Sequence, residues 1–411
     1  MRLAALTNQQ SPSDDPLASG TVVWVKALQF SRNEPRYAAA AVSSRFRPGS
    51  GASSGPLQLV NVEPPDLPDS GWQRIRTRLA GICGSDLATV DGQSARYFEP
   101  WVSFPFIPGH EVLGTNEKGE RVVLEPVLGH EARGFEPPFA NAAPGDGNDY
   151  RHIVSGHIEP GIQTGYCSST GGGWASEFVA HQSQLHLVPK ELGDEAAVMV
   201  EPAAVGVHAA IKAQVQPGDT VGIIGAGTMG LVTLAAVRQF CEAGRIVVAA
   251  KYPEQVDIAK QLGADSVVKP NEFSRAIRRA TGSFVIGDDL SGGADVIIDA
   301  VGSARSVNES IGVCRPRGRV VLVGMPGKLS VDLTAVWHRE TELVGAYTYG
   351  TESLPDGSTR RSFDMALELA HEAKLGQLVS ATYPLDAYRD ALLHAASAGK
   401  RGAIKVCFDL R

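Results

Sequence analysis

The chain has 411 residues, of which 43% are hydrophobic and 20% are charged, and its mean hydropathy is −0.06. This length and composition exclude a single small domain and predict at least one large core. The net charge is −7 and the charges are scattered, which argues against a nucleic-acid partner. No apolar stretch approaches the ~20 residues of a membrane span, and the first 20 residues turn polar where a signal peptide would stay apolar. We therefore expect a cytoplasmic protein without a membrane partner.

The cysteines are odd in number and far apart in the chain, which does not fit a disulfide framework. Each thiol is therefore available for packing or for metal binding. The five are Cys83, Cys167, Cys241, Cys314 and Cys407.

The first third of the chain is predicted to be mostly β-structure. Residues 1–20 are polar and proline-containing and are expected to form a flexible extension. A first domain is expected at residues 21–200. Its predicted strands cover residues 21–27, 57–62 and 72–79, with a glycine-rich loop at residues 48–55. Residues 125–173 lack periodicity and predict a long irregular lobe.

Apolar strands alternate with helices from about residue 201 to residue 343. Such alternation predicts a parallel sheet with helices on both faces. Strands are expected at residues 220–224, 245–250, near 267, 296–299 and 320–323, and helices at residues 201–213, 228–240 and 254–263. The last segment, residues 344–411, leaves this pattern and is expected to return to the first domain. It predicts amphipathic helices at residues 363–373 and 386–396 and a closing strand at residues 403–408.

A glycine-rich turn joins the first strand of the alternation to its helix. It reads Gly-Ala-Gly-Thr-Met-Gly, a GxGxxG pattern. The first glycine fits a tight turn, the second lets a pyrophosphate approach the backbone, and the helix N-terminus attracts the charge. An ordinary turn is the alternative, because glycine is frequent in this chain. The strand–turn–helix setting favours a dinucleotide site at Gly225, Gly227, Thr228, Met229 and Gly230.

The residues that select the adenosine ribose are expected about 20 positions further on. There the chain reads Ala250-Lys251-Tyr252, with no carboxylate to bind a 2′-hydroxyl. The lysine and the phenol can bind a 2′-phosphate, so the sequence favours NADP(H) over NAD(H). An ordinary solvated lysine is the alternative for Lys251. Val301 and Val323, at the ends of two later strands, are expected near the nicotinamide.

Residue types that bind zinc recur in the first half of the chain. Cys83 lies in the segment GICGSD, His110 and Glu111 end the segment PGHE, and Glu201 precedes a proline. Zinc binds thiolate, imidazole and carboxylate groups together, and a catalytic zinc keeps one position open. Taken singly, Cys83 could be a buried thiol and His110 a core histidine.

These motifs, in this order and followed by GxGxxG, resemble the zinc-dependent medium-chain alcohol and polyol dehydrogenases. The resemblance extends from about Lys26 to Arg411. It implies an α/β fold with a partly open, GroES-like β-barrel catalytic domain and a doubly wound Rossmann domain at residues 201–343. It also implies a homodimer or homotetramer that transfers a hydride between a secondary alcohol or polyol, or its ketone or aldehyde, and a nicotinamide cofactor.

The resemblance also implies roles for the motif residues. Cys83 and His110 would bind one catalytic zinc, and Glu111 or Glu201 would complete the ligand set or lie just behind it. Asp86 would orient His110. Zinc lowers the pKa of the bound alcohol, whose carbon then gives a hydride to the nicotinamide.

The proton relay departs from the family pattern. Ser85 would bond the substrate alcohol and pass on its proton, although simple turn chemistry is the alternative for a serine there. Many relatives carry a histidine five residues after the cysteine to complete the relay. This chain has Ala88 at that position. The relay is therefore expected to end elsewhere or to be weak.

The irregular lobe also departs from the pattern, because many relatives bind a structural zinc there with four cysteines. Between residues 111 and 174 this chain has Cys167 alone, so a four-cysteine site is excluded. His130, His152 and His157 could build another site with Cys167, but histidines in a polar lobe are more often solvated. We predict a lobe without metal.

The substrate side is less clearly marked by the sequence. Aromatic residues at 97–101 and 104–106 could line a pocket or belong to the core. Two other functions compete with the dehydrogenase interpretation. One is a zinc-independent enone or quinone reductase of the same fold, and the other is a non-catalytic NAD(P)-binding sensor.

Overall fold

The computed structural model describes residues 24–287 and 289–411. The predicted N-terminal extension and the start of the first predicted strand lie outside these residues. Strands dominate up to residue 187. They are β1 (Val25–Phe30), β2 (Leu57–Val62), β3 (Trp72–Gly81), β4 (Val112–Thr115), β5 (Arg121–Leu124), β6 (Glu177–His181) and β7 (Leu185–Leu187). The long lobe between β5 and β6 contains short 3₁₀ turns and isolated β-bridges.

Helices interrupt this region where the sequence predicted mostly β-structure. They are α1 (Glu34–Phe46), α2 (Gly51–Ser54), α3 (Gly84–Val90) and α4 (Asp194–Ala197). The expectation was wrong at α1, whose N-terminal signals are clear in retrospect. The side chain of Asn33 accepts a hydrogen bond from the backbone N–H of Arg36 at 3.1 Å, and a proline occupies the first turn. Helix α1 is largely exposed, so it lacks the apolar stripe that marks a buried helix.

The second half of the chain forms a parallel six-stranded sheet, which confirms the predicted doubly wound architecture. The strands here are β8 (Thr220–Ile224), β9 (Arg245–Ala249), β10 (Ser266–Val268), β11 (Val285–Ile286), β12 (Asp289–Leu290), β13 (Ala294–Asp299), β14 (Cys314–Leu322) and β15 (Glu342–Gly345). Strands β11 and β12 form a separate antiparallel hairpin, and the other six form the sheet. The strand order β10-β9-β8-β13-β14-β15 reverses beside β8, and such a reversal opens a ligand crevice at the carboxyl ends of the strands. The helices are α5 (Val200–Lys212), α6 (Thr228–Phe240), α7 (Pro253–Gln261), α8 (Phe273–Thr281), α9 (Ala304–Val313) and α10 (Thr334–Arg339).

The final segment adds strands to the first sheet. It contains β16 (Thr351–Ser353), β17 (Thr359–Arg361), α11 (Ser362–Glu372), β18 (Val379–Tyr383), α12 (Tyr388–Ala396) and β19 (Lys405–Asp409). Strand β19 pairs antiparallel with the end of β3, so Cys407 lies opposite Gly81. The resulting seven-stranded sheet contains β18, β19, β3, β4, β5 and β7 in that order, with β6 also paired to β3. The last strand of the chain therefore lies beside the segment that carries the predicted zinc ligands.

Candidate zinc and nucleotide site

Three predicted zinc ligands meet at the end of β3. In the part of the chain that the structure describes, Cys83, His110 and Glu111 form the one group of three or more potential metal ligands whose donor atoms all lie within 4.8 Å of one another. His110 and Glu111 are buried, and Cys83 is partly buried. A thiolate, an imidazole and a carboxylate form a ligand set that suits zinc.

Local backbone structure brings these ligands together. Cys83 is the N-cap of α3, and its backbone N–H donates to Asp86 Oδ2 at 3.1 Å. Gly109 has φ +98°, and a Cβ there would lie 2.4 Å from Trp174, so glycine is needed for the turn that presents His110. A Cβ on Gly81 would lie 1.9 Å from Glu111 Oε2, so the glycine in β3 makes room for the carboxylate.

The carboxylate of Asp86 lies beside His110. Its Oδ1 is 3.4 Å from His110 Nδ1, and both side chains are buried. Burial acts to lower the pKa of His110, but the Asp86 carboxylate and the Cys83 thiol outweigh it and raise this pKa well above its ordinary value. The same arrangement leaves the other ring nitrogen of His110 for a metal.

Lys405 is a site residue that the sequence analysis missed. Its Nζ donates to Glu111 Oε1 at 2.5 Å and to the carbonyl of Ile82 at 3.3 Å, and the side chain is buried. Burial acts to lower the pKa of Lys405, but Glu111 outweighs it and raises this pKa. The signal was a lone lysine inside the apolar strand β19, where an unpaired charge would be costly.

Glu201 lies outside the three-ligand cluster but close to it. It belongs to the first turn of α5, and Tyr349 donates a hydrogen bond to its Oε1 at 3.2 Å. Burial raises the pKa of Glu201 to about 7, His110 opposes this rise, and Glu111 adds to it. Of the two glutamates, Glu111 is therefore the one whose carboxylate lies among the other donors.

The glycine-rich turn has the shape expected of a dinucleotide site. Gly225 adopts φ +98°, and a Cβ on Gly230 would lie 1.8 Å from the Gly225 carbonyl oxygen. Gly227 faces open space, because a Cβ added there would meet no atom within 4 Å, which leaves room for a phosphate. The Thr228 hydroxyl donates a hydrogen bond to the Ile404 carbonyl at 3.3 Å, and Met229 packs against the core. These two residues therefore offer a ligand their backbone N–H groups at the start of α6.

The other predicted cofactor residues lie at the carboxyl ends of the parallel strands. Ala250 is buried, and Lys251 is exposed with its Nζ 5.5 Å from the centre of the Tyr252 ring. Val301 is exposed on the loop after β13, and Val323 directly follows β14. All five residues therefore lie at the edge of the sheet where a nucleotide binds in such folds.

Comparisons with known proteins agree with this geometry. Residues 69–190 match the alcohol dehydrogenase GroES-like domain, and residues 228–362 match the zinc-binding dehydrogenase domain. A probable D-xylulose reductase A of Arthroderma otae is 31% identical over 324 residues, which cover 76% of this chain and 82% of that protein. The L-idonate 5-dehydrogenase of Vitis vinifera is 27% identical over 86% of this chain and 93% of its own length.

The chain belongs to the zinc-dependent medium-chain alcohol and polyol dehydrogenase family. It is thus a zinc-dependent oxidoreductase that uses a nicotinamide cofactor. The crystal structure of 2R,3R-butanediol dehydrogenase from Bacillus subtilis shares the fold, with a TM-score of 0.68 at 21% identity over 94% of this chain and 99% of that one. No helix in the described part of the dehydrogenase is long and apolar enough to cross a membrane.

The irregular lobe of this dehydrogenase is organised by an arginine. Arg133 is buried, and its guanidinium donates to the carbonyls of Leu128 at 3.1 Å, Ser155 at 3.0 Å and Gly161 at 2.6 Å. Burial lowers the pKa of Arg133 to about 10, a value at which the group stays charged near neutral pH. One side chain therefore joins both ends of the lobe.

The histidines and the cysteine of the lobe do not form a cluster of potential metal ligands in the described residues. His130 and His152 stack with ring centres 4.0 Å apart, and His157 Nε2 lies 3.2 Å from the Ala132 carbonyl oxygen. The Cys167 thiol is buried and contacts the Glu159 carbonyl at 3.3 Å. A lobe without metal stays a prediction.

The two aromatic groups near the site have different environments. Phe104 and Phe106 pack with Phe30 in the core of the first domain, with centre distances of 6.4 Å and 5.1 Å to its ring. Phe98 instead stacks near Tyr347, with ring centres 6.4 Å apart. Phe104 and Phe106 thus belong to the core of the first domain, and the segment around Phe98 borders the domain that carries Tyr347.

Proposed function

We propose that Cys83, His110 and Glu111 bind one zinc ion and that this site acts on a secondary alcohol or polyol, or on the matching carbonyl compound. The observation that carries the proposal is the buried cluster of a thiol, an imidazole and a carboxylate with donor atoms within 4.8 Å. A zinc-independent enone or quinone reductase has no need for this combination. A sensor without catalysis has no need for it either.

The side chains around the cluster have distinct tasks in this proposal. Bound zinc supplies a Lewis acid that lowers the pKa of the alcohol. Ser85 accepts the proton of the alcohol hydroxyl and passes its own proton on. Asp86 fixes the orientation of His110, and Lys405 balances the charge of Glu111 in a buried setting. The hydride moves from the alcohol carbon to the nicotinamide ring.

Polyols are the substrate class that the relatives favour. The relatives from Vitis vinifera and Arthroderma otae are described as an L-idonate dehydrogenase and a xylulose reductase, and one from Arabidopsis thaliana as a sorbitol dehydrogenase. The common chemistry in these names is oxidation of a secondary hydroxyl in a polyhydroxylated chain, or its reversal. We therefore propose a linear polyol or sugar acid as substrate.

We also propose a preference for NADP(H). Ala250 replaces the carboxylate that would repel a 2′-phosphate, and the exposed ammonium of Lys251 lies beside the Tyr252 phenol. A charge-assisted contact to phosphate contributes about 1–2 kcal/mol, or roughly tenfold in affinity. Lys251→Ala should therefore weaken NADPH binding by about tenfold and leave NADH binding unchanged. Tighter binding of NADH than NADPH to the wild-type protein would overturn this preference.

A homodimer is the proposed assembly. Strand β15 is the last strand of the parallel sheet, and only β14 pairs with it among the described residues. Leu343 in β15 and Trp337 in the neighbouring α10 are 38% and 82% exposed. Pairing of β15 with a second copy would satisfy its free backbone groups and cover these side chains.

We also propose a cytoplasmic location, because the cysteines are free thiols and cysteines stay reduced in the cytoplasm.

Zinc analysis tests the proposed function before any substrate is known. We expect one zinc per chain in the wild type, none in Cys83→Ser, and one in the control Cys241→Ser, whose thiol lies in the other domain against the Ala210 carbonyl. Circular dichroism should show that all three proteins are folded. A folded, zinc-supplemented wild type without zinc would refute the proposal, and a second zinc would refute the metal-free lobe.

A further inference from the structure

A row of hydroxyl groups lies next to Ser85, where the chain lacks the relay histidine. The Tyr166 hydroxyl is 3.2 Å from Thr89 Oγ1, and Thr89 Oγ1 is 2.8 Å from Ser94 Oγ. Thr89 also donates to the backbone carbonyl of Ser85 at 3.0 Å, which fixes it one helical turn above that residue. We call Ser85, Tyr166, Thr89 and Ser94 the hydroxyl row.

The fold holds the inner end of this row firmly. The Tyr166 ring packs against Phe106 at 5.2 Å between centres, and its hydroxyl also reaches Asp86 Oδ1 at 3.3 Å. Burial and Asp86 raise the pKa of Tyr166 well above its ordinary value, and the neighbouring hydroxyls of Thr89 and Ser85 oppose this rise. The phenol is therefore a neutral neighbour of Ser85 that can both donate and accept a proton.

The outer end of the row approaches solvent. Ser94 is half-buried in the loop after α3, and Gln93 beside it is exposed. The backbone N–H of Ser94 donates to the Tyr37 hydroxyl at 3.2 Å, which fixes the loop. The row thus begins beside the candidate zinc ligands and ends at the protein surface, and Ala88 takes no part in it.

We propose that the hydroxyl row carries the substrate proton between Ser85 and solvent in place of the missing histidine. The inference rests on the proposed function. During oxidation the alcohol O–H proton passes to Ser85 Oγ, while Ser85 gives its proton to Tyr166. Tyr166 gives its proton to Thr89, Thr89 to Ser94, and Ser94 to water, and the C–H hydride moves to the nicotinamide. No hydroxyl changes its charge, because each one gives and receives a proton.

Thr89 must turn its proton for this transfer. At rest this proton points to the Ser85 carbonyl and the Tyr166 proton points to Asp86 Oδ1, so Thr89 accepts from Ser94. Rotation of the hydroxyl toward Ser94 changes the direction of the row without moving a heavy atom, because a hydroxyl is both a donor and an acceptor. Tyr166 likewise turns from Asp86 to Thr89. Reduction of a carbonyl uses the row in the opposite direction.

Proton release can be measured apart from hydride transfer. Trifluoroethanol, a poorly oxidised alcohol, is added to the zinc-loaded protein with oxidised cofactor, and an indicator dye follows the released proton by stopped flow. Tyr166→Phe and Thr89→Val remove single hydroxyls and keep the side-chain shape, and Thr89→Ser restores one. The control is Tyr383→Phe, which removes a phenol that bonds His394 at 2.9 Å elsewhere in the same domain.

We expect wild-type zinc content and cofactor Kd in all four variants. Proton release should slow by about 10–100-fold in Tyr166→Phe and Thr89→Val, which is at the lower end of general acid–base effects. Thr89→Ser and Tyr383→Phe should release protons as the wild type does. The solvent isotope effect on polyol oxidation should rise in the two slow variants, which a purely structural loss would not cause.

Three results would count against the hydroxyl row. Wild-type release rates in Tyr166→Phe would show that the row is not used, while the proposed function would stand. A zinc-loaded wild type that releases no proton would refute the row and the proposed function together. Equal slowing in Thr89→Ser and Thr89→Val would assign Thr89 a packing role and overturn the proposal.

Discussion

Replacing Arg133 with methionine tests how the irregular lobe is held together. The substitution keeps most of the apolar stem and removes the guanidinium. It leaves the carbonyl groups of Leu128, Ser155 and Gly161 without their donors in a buried setting. The wild-type guanidinium has no carboxylate partner among the described residues, so these carbonyl dipoles are its main stabilisation.

The expected cost follows from these three hydrogen bonds. Each bond to a charged group contributes about 1.5–3 kcal/mol, and each orphaned buried acceptor costs about 1–3 kcal/mol. Removal of the costly buried charge offsets part of this loss. We expect a net loss of about 3–5 kcal/mol in the stability of the lobe. This corresponds to roughly 200- to 5,000-fold more frequent local opening.

Native-state hydrogen exchange measures this opening directly in peptides from residues 125–173. The matched control is Arg151→Met in the same lobe, because this side chain is 89% exposed and, within the described part of the chain, forms an ion pair with Asp149 alone. An exposed ion pair contributes about 0–1 kcal/mol, so exchange should stay near wild type. Equal protection of the lobe in Arg133→Met and Arg151→Met would refute the view that Arg133 holds the lobe.

Three further predictions concern pH and assembly. Burial and, to a smaller extent, the neighbouring His130 lower the pKa of His152 to about 4. The lobe should therefore lose stability as pH falls from about 6.5 to 4, and hydrogen exchange should show that His152→Gln abolishes this loss. Burial acts to raise the pKa of Asp194, but Arg78 and Arg121 outweigh it and lower this pKa below its ordinary value. Asp194→Asn should therefore lower Tm at pH 7, and this effect should disappear as pH falls below about 4, where Asp194 itself becomes protonated. Leu343→Asp should convert a dimer to a monomer in sedimentation analysis, and an unchanged dimer would refute the β15 interface.

The sequence identified the architecture because that information is local and repeated. Alternating apolar strands and helices predicted the parallel sheet, and five of its six observed strands overlap the expected ones. Strand β15 was not predicted. Helix α1 was missed because its exposed faces carry no apolar stripe. The hairpins β11–β12 and β16–β17 were missed because each has strands of only two or three residues. Such short pairs depend on tertiary contacts rather than on local pattern.

Only the site residues that lie in short sequence motifs could be predicted from the sequence. Cys83, His110 and Glu111 were found because each lies in a short recognisable segment. Lys405 and Tyr166 were missed, since each lies far along the chain from the residue it contacts. The Lys405–Glu111 ion pair joins positions 294 residues apart, and Tyr166 and Asp86 are 80 apart. Only the folded sheet and lobe show that these residues are neighbours.

Lys405 shows why the closing strand matters to the chemistry of the site. Glu111 places a carboxylate in a buried cluster beside the Cys83 thiol, and the buried ammonium of Lys405 donates to that carboxylate. Before zinc binds, a chain without Lys405 would bury the Glu111 carboxylate without this cation, which is strongly unfavourable. The pairing of β19 with β3 is therefore part of the site and not only of the sheet. A chain that lost β19 would retain all three candidate ligands and lose the cation that pairs with the Glu111 carboxylate.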